Sequence, residues 1–222
     1  MTSPSVVLAP PIASAARMTL IRRTYALLTI TVLWTIAAVA GTIATPALLQ
    51  LAVSHPIIIM FLSFGALMGT NLVSAQPLKL AWLALFSGLM SMSLAPVMLY
   101  YNTRAPGVIT QAALLTGSTF MVLTLYAMFS RRDFSRLGGF LTVGLWVLIA
   151  TSLLNMFFRN ESASLWLASV SVMLFGGFIV YDTARLKSSL GPNDYVSATV
   201  ALYLDVLNMF MAILRILGRG RD

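Results

Sequence analysis

Long apolar stretches separated by short polar connections occupy the chain from residue 25 onward. The first, 25–44, has close to the roughly 20 residues that a helix needs to cross a bilayer. Similar runs follow at 57–75, 80–101, 108–129, 137–158, 165–183 and 195–217. The pattern predicts an all-α integral membrane protein with seven transmembrane helices. Thr45 and Pro46 open a connection that also holds His55 and Pro56, and Gly191, Pro192 and Asn193 mark a turn before the last run. Pro96 falls inside the third run and is expected to remove one helical hydrogen bond, which a spanning helix tolerates when neighbours satisfy the freed group. Gly65 and Gly69 have the GxxxG spacing, and Gly138, Gly139 and Gly144 are further points for close helix contact. Residues 1–21 contain Pro4, Pro10 and Pro11 and lack a basic region ahead of their apolar part, which predicts a disordered cytoplasmic tail rather than a cleaved signal. The membrane domain is then 22–217, and 218–222 form a short basic tail.

Composition agrees with the pattern. The 222 residues are 59% hydrophobic and 9% charged, with mean hydropathy +0.91, more apolar than one soluble core can hide. The formal charge of +8 comes from Lys and Arg placed between apolar runs, so these residues act as topology signals and not as a nucleic-acid surface. Without cysteine there are no disulfides, thiolate metal sites or cysteine nucleophiles. The single histidine, His55, has no partner at a readable spacing and is expected to be solvated or interfacial. No cofactor is expected, and neither is an enzymatic activity.

With the N-terminus in the cytoplasm, the inner segments hold Arg17, Arg22, Arg23, Lys79, Arg131, Arg132, Arg136, Arg185 and Lys187, against Arg104 and Arg159 outside. That imbalance follows the positive-inside rule. Arg215, Arg219 and Arg221 oppose it, unless the last helix is less than a full crossing. The protein is expected in a bacterial inner membrane.

Of the six acids, Asp182 and Asp205 alone interrupt apolar runs. A charged side chain at the bilayer centre costs about 2.5 to 3.5 kcal/mol on insertion scales, so such residues point to function. Asp182 lies near the end of the sixth run, and Asp205 is about 15 Å into the seventh at 1.5 Å per residue. The two need not share a height, but a late start or unwinding of the seventh helix brings them together. Tyr203, Asp205 and Asn208 read as a polar stripe turned toward the bundle or water. Tyr181, next to Asp182, is a further supporting polar group. One reading makes the acids protonated glue between helices, although glue is more often Ser, Thr, Asn or Gln. The other is a carboxyl pair that shares a proton and titrates as a unit. Deprotonated, Asp182 and Asp205 offer oxygen ligands to Ca2+, but far fewer than the six to eight of a tight site. Weak binding suits passage.

Several segments carry a resemblance. They are Arg23-Thr24-Tyr25-Ala26-Leu27-Leu28, Leu125-Tyr126-Ala127 with Arg132-Asp133-Phe134-Ser135, Leu154-Asn155-Met156-Phe157, Phe178-Ile179-Val180-Tyr181-Asp182-Thr183, and Ala201-Leu202-Tyr203-Leu204-Asp205-Val206-Leu207-Asn208-Met209-Phe210. In order and spacing they resemble the bacterial members of the transmembrane Bax inhibitor motif family, of the Bax inhibitor-1 type. The resemblance implies a last helix enclosed by the other six, and a pH-sensitive calcium leak controlled by two aspartates that match Asp182 and Asp205. It also implies a basic latch from the second helix onto the aspartate matching Asp182. Here 57–75 holds no Lys or Arg, and Asn71 is the nearest polar candidate.

Three functions are open. The first is a passive Ca2+ leak gated by proton sharing, with lipid, Ca2+ and H+ as partners. The second is a membrane regulatory protein that modulates a membrane-bound quality-control protease or a stress response. The third is an intramembrane aspartyl protease, which needs water activated between the acids. Leu202-Tyr203-Leu204 stands before Asp205 where such proteases place Gly-x-Gly, and no Pro-Ala-Leu motif follows.

Overall fold

The computed structural model describes residues 11–219, and these are helical apart from short connections. Helix α1 is Pro11–Ala44, α2 Pro46–Ser54, α3 Pro56–Leu72, α4 Gln76–Arg104, α5 Val108–Phe129, α6 Leu137–Phe158, α7 Glu161–Ser188 and α8 Tyr195–Arg219. Six of them are long and apolar enough to cross a membrane, and α2 with α3 form a pair bent by 94°. The α5 and α6 boundaries are those the apolar runs predict.

Other boundaries differ for identifiable reasons. Residues 11–21, expected as disordered tail, are the first turns of α1. Pro11 fits a first helical position, alanines at 13, 15 and 16 favour helix, and Arg17 holds this end down. Its guanidinium donates to the carbonyls of Leu186 (3.2 Å), Leu190 (2.6 Å) and Ser188 (3.4 Å), where α7 leaves its last carbonyls unpaired. Residues 1–10 lie outside the described part of the chain. At the other terminus α8 runs to Arg219, so the expected basic tail begins as helix, and 220–222 lie outside the described residues.

The link between the first two runs is also helix. Pro46 and Pro56 each start a helix, and His55 sits between them at φ −130° and ψ 49°. A residue before proline is pushed out of the α region, which breaks the rod there. His55 is exposed, with Nδ1 2.7 Å from the Ser54 hydroxyl. Helix α4 continues through Pro96. Helix α7 starts four residues before the predicted 165, where the Asn160 side chain accepts from the Ala163 N–H at 3.0 Å, and it ends at Ser188 rather than 183.

Side-chain bonds fix which ends lie together. The Gln76 amide at the start of α4 donates to the Asn193 carbonyl (3.1 Å), and Lys187 donates to the Ser130 carbonyl (2.8 Å). With Arg17 on α7, these join the α1 start, the α3–α4 and α5–α6 connections and the α7–α8 turn at one end of the bundle. At the opposite end Arg219 donates to the Glu161 carbonyl (2.6 Å) and pairs with its carboxylate (3.5 Å). The bent pair therefore brings the chain back from the end of α1 to the start of α4. Helix α8, 25 residues and about 37 Å long, runs the full length of the bundle, so a shortened last helix is not the origin of the C-terminal arginines' position.

Helix α8 packs against α1, α3, α4, α5 and α7, while α6 leans on α7 alone. The expected enclosure of the last helix by six others is thus five-sided in the described residues. Leu202, Tyr203, Met209 and Leu214 of α8 are fully buried, whereas α6 exposes Phe140, Trp146 and Phe157 on the outer surface.

Of the GxxxG pair, only Gly69 makes a close contact: a Cβ there would strike the Trp82 ring of α4, while Gly65 faces open space. Gly69→Ala is expected to destabilise the α3–α4 contact by about 1 to 3 kcal/mol, and Gly65→Ala to leave stability unchanged, in thermal melts of detergent-purified protein. Equal melting temperatures for the two variants would contradict this packing.

Candidate functional site

Asp182 and Asp205 come from consecutive helices whose meeting depends on close packing around α7. A Cβ at Gly177 would strike Leu141 of α6, and one at Gly176 would press on Leu123 of α5. These glycines let both neighbours approach α7 about two turns before Asp182. Because α7 continues to Ser188, Asp182 is six residues from that end, about 9 Å deep, and not at the rim. Helix α8 begins regularly at Tyr195, so no unwinding is needed. The extra turn of α7 brings the heights close enough for the two carboxyls to be neighbours across the α7–α8 contact.

Their surroundings differ. Asp205 is 5% exposed, and its Oδ2 is buried without a hydrogen-bond partner. Asp182, with its side chain 12% exposed, accepts from Arg185 Nη1 at 3.3 Å, and that arginine is 45% exposed. The Arg185 guanidinium lies over the Tyr181 ring, 5.5 Å from its centroid. The cation that the second helix lacks is thus supplied from α7 itself. An i,i+3 pair on one helix face was readable in the sequence as Asp182 and Arg185, and reading Arg185 only as a topology signal missed it. Thr183, fully buried beside Asp182, has its hydroxyl 3.4 Å from the Tyr25 hydroxyl of α1.

The supporting groups expected from the sequence are more scattered. Tyr203 is two residues from Asp205 and therefore on the other side of α8. Its hydroxyl lies 2.9 Å from Thr35 Oγ1, and its ring meets Phe86 edge-on with centroids 5.9 Å apart. Thr35 already donates to the Thr31 carbonyl (2.9 Å), so Tyr203 is the donor between them. Asn208 is exposed and donates to its own helix at the Leu204 carbonyl (2.7 Å), not to an acid. Asn71 is exposed at the end of α3 and reaches neither aspartate. Tyr181 packs against Gly138 and Arg185, and so steadies the arginine rather than the carboxyls. The polar stripe on α8 reduces to Asp205.

A pair of carboxyls from two consecutive helices, one of them carrying a local cation, sits inside an all-helical membrane bundle. The family model described as "Inhibitor of apoptosis-promoting Bax1" matches residues 17–222, which include both aspartates. The chain belongs to the Bax inhibitor-1 family. It is 37% identical over 205 residues to a Golgi anti-apoptotic protein of Vaccinia virus (strain Lister), covering 90% of this chain and 85% of the viral one. Protein lifeguard 4 of Mus musculus is 35% identical over 208 residues, with 90% of this chain and 85% of the mouse protein covered. A membrane protein of Vibrio cholerae is 35% identical over 204 residues, covering 89% and 88%. Within this Bax inhibitor-1 bundle, Tyr203 is one of two hydrogen-bonded ties between α8 and α1 among the described residues, the other being the Thr199 hydroxyl on the Thr24 carbonyl (3.2 Å). Tyr203→Phe is expected to lower stability by about 0.5 to 1.5 kcal/mol, the net worth of one such bond, with the Asp182–Asp205 contact kept. A thermal melt gives the first value, and the infrared carboxyl band of the paired acids reports the second.

Proposed function

We propose that this Bax inhibitor-1 family protein is a passive, pH-sensitive Ca2+ leak, not an enzyme, in which Asp182 and Asp205 share a proton. The observation that carries the reading is that the two carboxyls are neighbours across the α7–α8 contact with one Asp205 oxygen buried and unpartnered, an arrangement that a proton shared between them relieves. Loss of that proton leaves two adjacent negative charges, which part or take up a cation. Two carboxylates bind Ca2+ weakly without further oxygens, and weak binding favours passage over storage. Arg185 takes the place of a basic latch from another helix, offsetting charge on Asp182 while leaving Asp205 dependent on its partner acid. We also place the Arg17 end of the bundle in the cytoplasm of a cell with an inner membrane. Nine Lys and Arg residues lie at that end, and Arg104, Arg159, Arg215 and Arg219 at the other, among the described residues. On this reading α2 and α3 together count as one crossing, the second of seven.

A regulatory role is the second reading, and the viral relative's description as anti-apoptotic favours it. In that case the acids sense pH for a partner such as a membrane-bound protease.

Ca2+ entry into liposomes holding the purified protein, followed from about pH 6 to about pH 8, separates the two. The leak reading expects a pH-dependent flux in wild type that loses its pH dependence in Asp182→Asn/Asp205→Asn, and a profile with a moved midpoint in Arg185→Gln. Absence of flux at every pH from folded, oriented protein would reject the leak and leave the regulatory reading.

A further inference from the structure

Helices α5 and α6 each pack along α7 but do not approach one another. At the end that holds Arg17 is a cleft of about 410 Å3 lined by Ala127 of α5, the α5–α6 connection and the last turns of α7. Arg131, Arg132, Arg185 and Lys187 line it, with Asp133 as the one acid. That acid is turned into its own loop. Its Oδ1 accepts from the Ser135 N–H at 2.9 Å, and this backbone bond holds its carboxyl below the ordinary value of 3.8. Nearby Arg136 adds to the effect, so Asp133 is ionised and its charge is directed to 135 and 136. The cleft keeps a positive excess.

Two of the cations have no work inside the bundle. The Arg131 and Arg132 side chains are exposed and make no hydrogen bond or ion pair among the described residues. Lys187 is tethered to the Ser130 carbonyl, which fixes the loop against α7. Arg185 points to Asp182 on one side and lines the cleft on the other. Phe134 and Tyr181 add aromatic lining, and the helix ends that the connection joins are apolar and exposed, Phe129 of α5 by 81% and Phe140 of α6 by 74%. The ligand therefore has to be anionic at the mouth and apolar beside it.

We propose that the cleft binds the headgroup phosphate of an anionic phospholipid whose acyl chains lie in the gap between α5 and α6. Guanidinium groups meet phosphate oxygens with paired N–H donors, and basic pockets between spanning helices suit such headgroups. Neither Arg131 nor Arg132 gives up an existing partner on binding. A seated phosphate gives Arg185 a second anion beside Asp182, so the lipid and the aspartate pair draw on one guanidinium. The site stands whether or not the protein passes Ca2+.

Native mass spectrometry of the full chain in detergent, with phosphatidylglycerol or phosphatidylcholine added, tests the assignment. Wild type is expected to retain phosphatidylglycerol over phosphatidylcholine. A basic residue at an anionic headgroup contributes about a fivefold factor, so Arg131→Gln/Arg132→Gln is expected to lower phosphatidylglycerol affinity about 25-fold and Arg185→Gln about fivefold. Arg104→Gln/Arg159→Gln, the same charge change at the opposite end, is expected to leave it unchanged. Equal retention of the two lipids, or equal losses in the two double variants, would overturn the proposal. So would inorganic phosphate displacing the lipid at equal concentration, which marks a free-anion site. Both double variants alter exposed side chains, and a melt matching wild type confirms that they are folded.

Discussion

A carboxyl group carried into a bilayer on a helix needs a partner other than hydrocarbon, and most of this architecture supplies one for Asp205. Helix α8, which bears it, is packed against five other helices and keeps its large apolar side chains buried. Even so, one oxygen of Asp205 has no hydrogen-bond partner, and the other group within reach is a second carboxyl. Replacing that arrangement with a buried Arg or Lys would have satisfied Asp205 more fully, at the cost of a fixed ion pair. An acid–acid contact has a different property. Two adjacent carboxyls repel when both are ionised and attract only through a proton held between them, a response that a fixed ion pair lacks.

The asymmetry between the acids follows from where each helix ends. Asp182 is within two turns of the end of α7, close enough for Arg185 to hold its head group near the surface while donating inward. Asp205 is ten residues into α8 and has no such neighbour. Arg17 adds to this end by binding the last carbonyls of α7, which fixes the turn that aligns the two acids. The height of Asp182 is thus set by a cap supplied from the first helix.

Much of this was legible because the bilayer imposes one strong rule, that backbone groups be satisfied within a helix. Under that rule the apolar runs define α5 and α6 to the residue, and acids inside runs stand out. What escaped were features that depend on tertiary contact. Residues 11–21 lack an apolar run, so their helix is visible only once Arg17 has the α7 carbonyls to bind. The stretch 46–54 was too short for a span, and its role as half of a bent pair follows from its neighbours. Tyr203 and Asn208 were grouped with Asp205 by polarity, but two residues on a helix turn about 200°, and each found another partner. Asn71 was a candidate only because a cation was expected on the second helix. The cation comes instead from Arg185, whose spacing from Asp182 was in plain view.

The same cation connects the interior to the membrane surface. An arginine shared between a buried acid and an open cleft has two competing calls on its donors, and strengthening one weakens the other. For Asp182 this means that its electrostatic surroundings are not set by the bundle alone. They also include the open cleft that Arg185 lines, beside α6, which rests on α7 without reaching α5. A helix packed against a single neighbour is the element whose position is least constrained by the rest of the bundle. Gly138 at its start lies against the Tyr181 ring, over which Arg185 is stacked. Movement of α6 would therefore shift Tyr181, then Arg185, and through it the charge facing Asp182, without any change in α8.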